Sequence, residues 1–227
     1  MSVPPRLALG VTAAAAAAVA IPAYLKFIRP RQIRWGATDE ELTRGMPGDD
    51  IVDNPTFNAT RAITIEAAPE EIWPWIVQMG LGRAGWYSYD WIDNLGRPSA
   101  REILPDYQLP QPGDLVPFSP NGKLGLRVKS LERHRSLLWW EVKGAATWAW
   151  ALYPQPDGTT RLVTRIRILY NWQSPRILFY LVVDVGDIIM IRKCLHGIKE
   201  RAEAVSRDRR AMRLLVEDAV TEAYKSA

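Results

Sequence analysis

Cysteine occurs once in the 227 residues, at Cys194, and histidine twice, at His134 and His196. A single thiol excludes an intrachain disulfide and a thiolate metal cluster. No carboxylate stands at a spacing that would complete a zinc pattern with either histidine, so no metal site is expected. His134 falls in a predicted hairpin turn, and His196 on a helix beside an apolar stripe. Cys194 shares that helical spacing with Ile191, Leu195 and Ile198, and reads as a small buried hydrophobe. The chain also lacks a GxSxG nucleophile elbow, a Walker loop, a kinase string and internal repeats, so no cofactor is implied. Gly80, Gly82 and Gly85 do match GxGxxG, but a proline-started helix precedes them and an aromatic segment follows. A dinucleotide site needs a strand before that pattern and a helix opening at its end, so a helix–helix connection is the reading.

What is present is apolar, aromatic and mildly basic. Hydrophobic residues make up 48% of the chain, enough for one good core with appendages, and ten are tryptophan. Tryptophans collect in cores, pocket walls and membrane interfaces. The net charge is +4, with 22 arginines against 7 lysines. The excess concentrates between Arg192 and Arg213, where eight basic residues face three acids. A solvated helix face and contact with anionic lipid headgroups are the two readings. Nucleic acid is not expected as a partner, because the run has no interleaved aromatics and no reading motif.

Residues 7–25 carry no charge and are rich in alanine, a length near the ~20 residues that cross a bilayer. Arg6 alone precedes them, whereas Lys26, Arg29, Arg31 and Arg34 follow. Positive charge stays inside, so a single-pass membrane anchor over residues 1–28 with the domain facing the cytoplasm is expected. A cleaved signal peptide, with Ala18-Val19-Ala20 as its small-residue site, competes with that reading.

Residues 29–58 read as a linking arm, with a capping box at Thr38 to Glu41 and turn chemistry at Pro47 to Asp50. Residues 60–66 alternate polar and apolar side chains, as a strand with one buried face does. Pro69, Glu70 and Glu71 open a helix whose apolar stripe is Ile72, Trp73, Ile76, Val77 and Met79. An aromatic cluster of Trp86, Tyr87, Tyr89 and Trp91 follows. From Asp114 to Trp172 successive antiparallel strands are expected, with Trp148, Trp150 and Leu152 on one face of theirs. In the next strand Leu162, Thr164, Ile166 and Ile168 share a face, and Arg161, Arg165 and Arg167 share the other, which predicts a sheet with one wet face. A helix capped by Asp187 then carries Ile188, Ile191, Leu195, Ile198, Ala202 and Val205 at helical spacing. Arg207 to Arg210 interrupts that stripe, and residues 207–227 read as a separate amphipathic tail able to meet a protein partner.

Residues 59–66, 69–80 and 86–94, the strand run to Trp172, and residues 186–203 together resemble the START-like, polyketide-cyclase-type superfamily, also called SRPBCC. The resemblance spans residues 34–204 or so and rests on apolar positions and turns. It implies an α+β helix-grip domain over residues 59–206, a curved antiparallel sheet around a long C-terminal helix. It also implies an apolar ligand between sheet and helix, a hydrophobic small molecule or a lipid. The candidate cavity is Trp86, Tyr87, Tyr89, Asp90, Trp148, Trp150, Ile166, Ile168, Ile191 and Leu195. No catalytic set comes with the resemblance. A cyclase, dehydratase or isomerase would need Asp90, Tyr89 or His196 as acid or base, with Asp93 a second carboxylate among the aromatics. A filled core serving as a membrane-bound interaction module is the third reading.

Overall fold

The computed structural model describes residues 22–170 and 177–225. The predicted anchor therefore lies mostly outside the described residues, and among those described no helix is long and apolar enough to cross a membrane. The fold is α+β. Strands β1 (Phe57–Ile65), β2 (Leu115–Pro117), β3 (Gly125–Glu132), β4 (Ser136–Trp140), β5 (Ala146–Pro154) and β6 (Thr160–Ile168) form one antiparallel sheet in the order β1-β6-β5-β4-β3-β2. The helices are α1 (Arg29–Gln32), α2 (Asp39–Thr43), α3 (Pro69–Val77), α4 (Asp90–Asp93) and α5 (Ile177–Lys225).

Local chemistry sets the starts of α2 and α3. The Thr38 hydroxyl accepts from the Glu41 amide while the Glu41 carboxylate accepts from the Thr38 amide, the reciprocal box foreseen from the sequence. Pro69 occupies the first turn of α3, and Glu71 reaches back to the Ala68 amide at 3.0 Å. His134 takes a positive φ of 62° in the tight β3–β4 turn, where the hairpin was expected.

One face of the sheet holds the main core. Trp150 and Leu152 of β5, Leu162 of β6 and Trp139 of β4 pack against Ile72, Trp75 and Ile76 of α3 and against Ile191, Leu195, Ile198 and Ala202 of α5. Arg61 also lies on this side, 1% exposed, where its guanidinium is paired with Asp187 and its Nε donates to the Gln32 carbonyl.

The other face corrects the expectation of a wet surface. Residues 36–53 lie across it, with Met46 sealed against Ala62, Leu138, Ala149, Ala151 and Val163. Arg165, 4% exposed, donates to the Thr60 hydroxyl, to the carbonyls of Glu41, Leu42 and Arg44, and to the Asp49 carboxylate at 2.6 Å. Arg161 binds Glu41 through Nε and Nη2, at 2.9 and 2.8 Å. Arg167 reaches the Val52 and Asp53 carbonyls. Burial alone would raise the pKa of Glu41, but its bonds from Arg161 and the Thr38 amide outweigh that and hold it below the usual carboxylate range. Period-two alternation reports which side chains share a face, not whether another segment covers it. The arm over residues 29–58 is thus packed structure as well as connection.

The C-terminal helix differs too. It begins by Ile177, so Asp187 is not its N-cap but an interior residue answering Arg61. It continues unbroken through residues 207–210, because arginine is a good helix former even where the apolar stripe lapses. Residues 207–225 are exposed along their whole length. Gly197 brings α5 against the loop before α4: a Cβ there would meet the Tyr87 carbonyl oxygen at 2.2 Å.

Two stability tests follow from these contacts. Arg165→Ala should cost about 3–5 kcal/mol in denaturant unfolding, because it leaves Asp49 and several carbonyls without their donor. Arg165→Lys should recover only part, since a point charge cannot reproduce the five-donor fork. Gly197→Ala should cost about 1–3 kcal/mol in the same assay, because the backbone of Tyr87 must move aside.

Candidate functional site

The space between sheet and helix is filled by rings. Trp86 stacks on Trp148 at 5.8 Å with the planes 9° apart, and Trp148 meets Trp139 at 5.4 Å and Trp150 at 5.0 Å. Phe118 closes over Trp86 at 5.0 Å. The indole N–H of Trp148 donates to the Thr164 hydroxyl at 2.7 Å, which donates onward to the Ala149 carbonyl. Of the expected cavity residues, Trp86, Trp148 and Trp150 are brought together in this stack. Ile191 and Leu195 lie buried in the same core, whereas Ile166 and Ile168 pack towards Phe57 and Tyr170 at the sheet edge.

Tyr87 is buried, with φ at 56°. Its hydroxyl donates to the Trp75 carbonyl and accepts from the Gln78 amide, and the Arg201 guanidinium lies over its ring at 4.5 Å. Burial drives its pKa far above the ordinary tyrosine value, so it carries no charge. Asp90 accepts from both the amide and the hydroxyl of Ser99, closing the loop after α4 rather than facing an open space. Gly80 and Gly85 exchange backbone hydrogen bonds with each other, and the Leu81 amide donates to the Pro117 carbonyl, so those three amides already have acceptors.

Asp93 is the unusual carboxylate. Both its oxygens are shielded from solvent and lack a hydrogen-bond partner. Burial pushes its pKa up to about 6 and the Asp90 charge adds to the shift, while the neighbouring Ser88 hydroxyl donates to the Met190 carbonyl. Beside it Cys194 is buried with Sγ 3.9 Å from the Met79 sulfur, and burial raises its thiol pKa far above the usual range. Among the described residues, neither group lines either of the two clefts at Trp35 and at Tyr107.

Open space lies elsewhere. A cleft of about 540 Å³ runs between the N-terminal segment and the outer face of α5, lined by Phe27, Ile28, Trp35, Tyr89, Ile188 and Ile189 as its apolar wall. Arg31, Gln32, Arg192, Lys193 and His196 supply the polar part. The Arg192 guanidinium lies over the Trp35 ring at 5.2 Å, and the His196 ring tilts against the same indole at 5.6 Å. Partial burial lowers the His196 pKa, and the charges of Arg192, Lys199 and Lys193 lower it further, which keeps the imidazole neutral at pH 7. Tyr89 is the one residue of the expected cavity set that lines this cleft. His196 was expected only as a possible acid or base and Arg192 only as part of a basic helix run; Phe27, Ile28, Arg31, Gln32, Trp35, Ile188 and Ile189 were not expected at a site. Ile188, Arg192 and His196 do recur every fourth residue, and basic residues do cluster from Lys26 to Arg34, but nothing in the sequence joins the two segments.

The Asp93 environment has a measurable consequence. Its folded pKa lies above the ordinary carboxylate value, so the folded state holds the extra proton between about pH 4 and 6 and loses stability as pH rises through that window. Asp93→Asn should therefore raise the melting temperature at pH 7.5 and change it little at pH 4. An unchanged difference across that range would show that the carboxylate is solvated.

No family model and no curated protein matches the chain. Among solved structures, a protein from Rhodobacter sphaeroides is 17% identical and aligns over 65% of this chain and 92% of its own, with a TM-score of 0.43. One from Thermobifida fusca is 15% identical over 64% and 92%, with a TM-score of 0.42. The Aha1 dimer from Colwellia psychrerythraea is 15% identical over 65% and 97%, with a TM-score of 0.40. Each alignment spans about two thirds of this chain, and none carries a ligand or an activity over to it.

Proposed function

We propose that this chain is a START-like, helix-grip protein, tethered to a membrane by its N-terminal apolar run, that holds a hydrophobic small molecule or lipid. Its seat is the cleft between the N-terminal segment and α5 rather than the interior. The observation that carries this reading is the contrast between the two places. The interior is occupied by Trp86, Trp139, Trp148 and Trp150, whereas the cleft offers about 540 Å³ against Phe27, Ile28, Trp35 and Ile188. That volume falls within the usual range for small-molecule sites, about 300–1,000 Å³. The cleft also adjoins the residues that follow the predicted anchor, so a ligand drawn from a bilayer would enter there.

Acid–base catalysis has less support: Asp90 is committed to Ser99, and Asp93 is sealed. A ligand-free interaction module is favoured by one feature, the exposed apolar side chains Met212, Leu215, Val216 and Val220 on the end of α5.

Native mass spectrometry of the full chain in detergent, with organic extraction, separates these readings. A discrete apolar ligand should be retained. Trp35→Ala should weaken retention about tenfold, equivalent to about 1.4 kcal/mol, while Trp140→Ala on β4, outside the cleft, should not. A chain that retains nothing after incubation with a lipid extract would overturn the binding reading.

A further inference from the structure

The cleft is one-sided in charge. Its lining includes the cations Arg31, Arg192 and Lys193, and no aspartate or glutamate. Among the described residues neither Arg192 nor Lys193 has a hydrogen-bond or ion-pair partner, and the nearby Asp187 is already paired with Arg61. The Arg192 guanidinium lies over the Trp35 ring at 5.2 Å, a contact with the ring face that leaves its N–H groups available to an acceptor. Arg31 uses one Nη to bond the Phe27 carbonyl and keeps other donors. Beside these cations, Leu25, Phe27, Ile28 and Ile189 are exposed large apolar side chains. Cations grouped beside exposed apolar side chains match the two halves of an anionic amphiphile at a bilayer boundary.

Resting on the reading of this cleft as the ligand seat, we propose that its ligand is an anionic phospholipid of the membrane. The lipid phosphate is held by Arg31, Arg192 and Lys193, and its acyl chains lie over Phe27, Ile28 and Ile189. The charge selects the lipid class, and the apolar wall makes a lipid rather than a free anion the occupant. Because the site lies outside the tryptophan-filled interior, headgroup binding requires no opening between sheet and helix.

The test uses the full chain in detergent micelles containing equal amounts of phosphatidylglycerol and phosphatidylcholine with identical acyl chains, read by native mass spectrometry. Phosphatidylglycerol should be retained about tenfold over phosphatidylcholine, a difference of about 1.4 kcal/mol. The double variant Arg192→Gln/Lys193→Gln should bring the two lipids to near parity. Lys123→Gln/Arg133→Gln, which removes two exposed charges outside the cleft, should leave the preference intact. Equal retention of both lipids by the wild type, abolished by Trp35→Ala, would overturn the headgroup assignment while leaving the cleft as a lipid site. A preference for phosphatidylglycerol that survives Arg192→Gln/Lys193→Gln would overturn it as well. Displacement of the lipid by millimolar inorganic phosphate would make a free anion the occupant and overturn it too. Retention of neither lipid would overturn the phospholipid assignment, and the lipid-extract experiment above then decides whether the cleft binds an apolar ligand at all.

Discussion

Everything on the outer side of the sheet depends on how three arginines of β6 meet the arm that covers them. A sheet face carrying Arg161, Arg165 and Arg167 would ordinarily stay in water, since each buried guanidinium loses its hydration. Here the arm answers with backbone carbonyls from Glu41, Leu42, Arg44, Val52 and Asp53 and with the carboxylates of Glu41 and Asp49. The exchange works in both directions. A segment with little regular structure leaves many carbonyls without partners, and planar five-donor side chains satisfy several at once. The arm thereby gains a fixed course, and Trp35 at its start is delivered to the edge of α5.

On the inner side the organising constraint is close approach. Gly197 lets α5 press on the Tyr87 backbone, and Arg201 then caps the Tyr87 ring. That contact, with Arg61 and Asp187 nearer the start of the helix, holds α5 onto the core. The price of tight packing is a filled interior, with tryptophans where a START-like fold is expected to hold its ligand. Two buried acidic groups, Asp93 and Cys194, are by-products of the same closeness: each is shifted by lost hydration, and neither meets open space.

Open volume survives where the two organised halves meet. The arm contributes Trp35 and Arg31, and the outer face of α5 contributes Ile188, Ile189, Arg192, Lys193 and His196. Apolar side chains and unanswered cations then stand side by side, on residues close in sequence to the predicted anchor. The proposed lipid-binding role needs no cavity in the core, so it is compatible with an interior packed by aromatic rings.

The sequence by itself determined the elements whose signal is local. The capping box at Thr38, the proline start at Pro69, the hairpin at His134 and the alternation of β5 and β6 all rest on interactions within a few residues, so the α+β class and the partition of faces were legible. The placement of Trp148 and Trp150 on one face was legible too, because alternation fixes direction; that their rings pack on each other was not. Only the tertiary structure decided what lies against each face. Covering the arginine face, converting Asp187 from an expected cap into the partner of Arg61, and joining Trp35 to Arg192 each couple residues more than a hundred positions apart. Side-chain periodicity carries no information about such pairs, because the same pattern satisfies water, a covering arm or a ligand equally well.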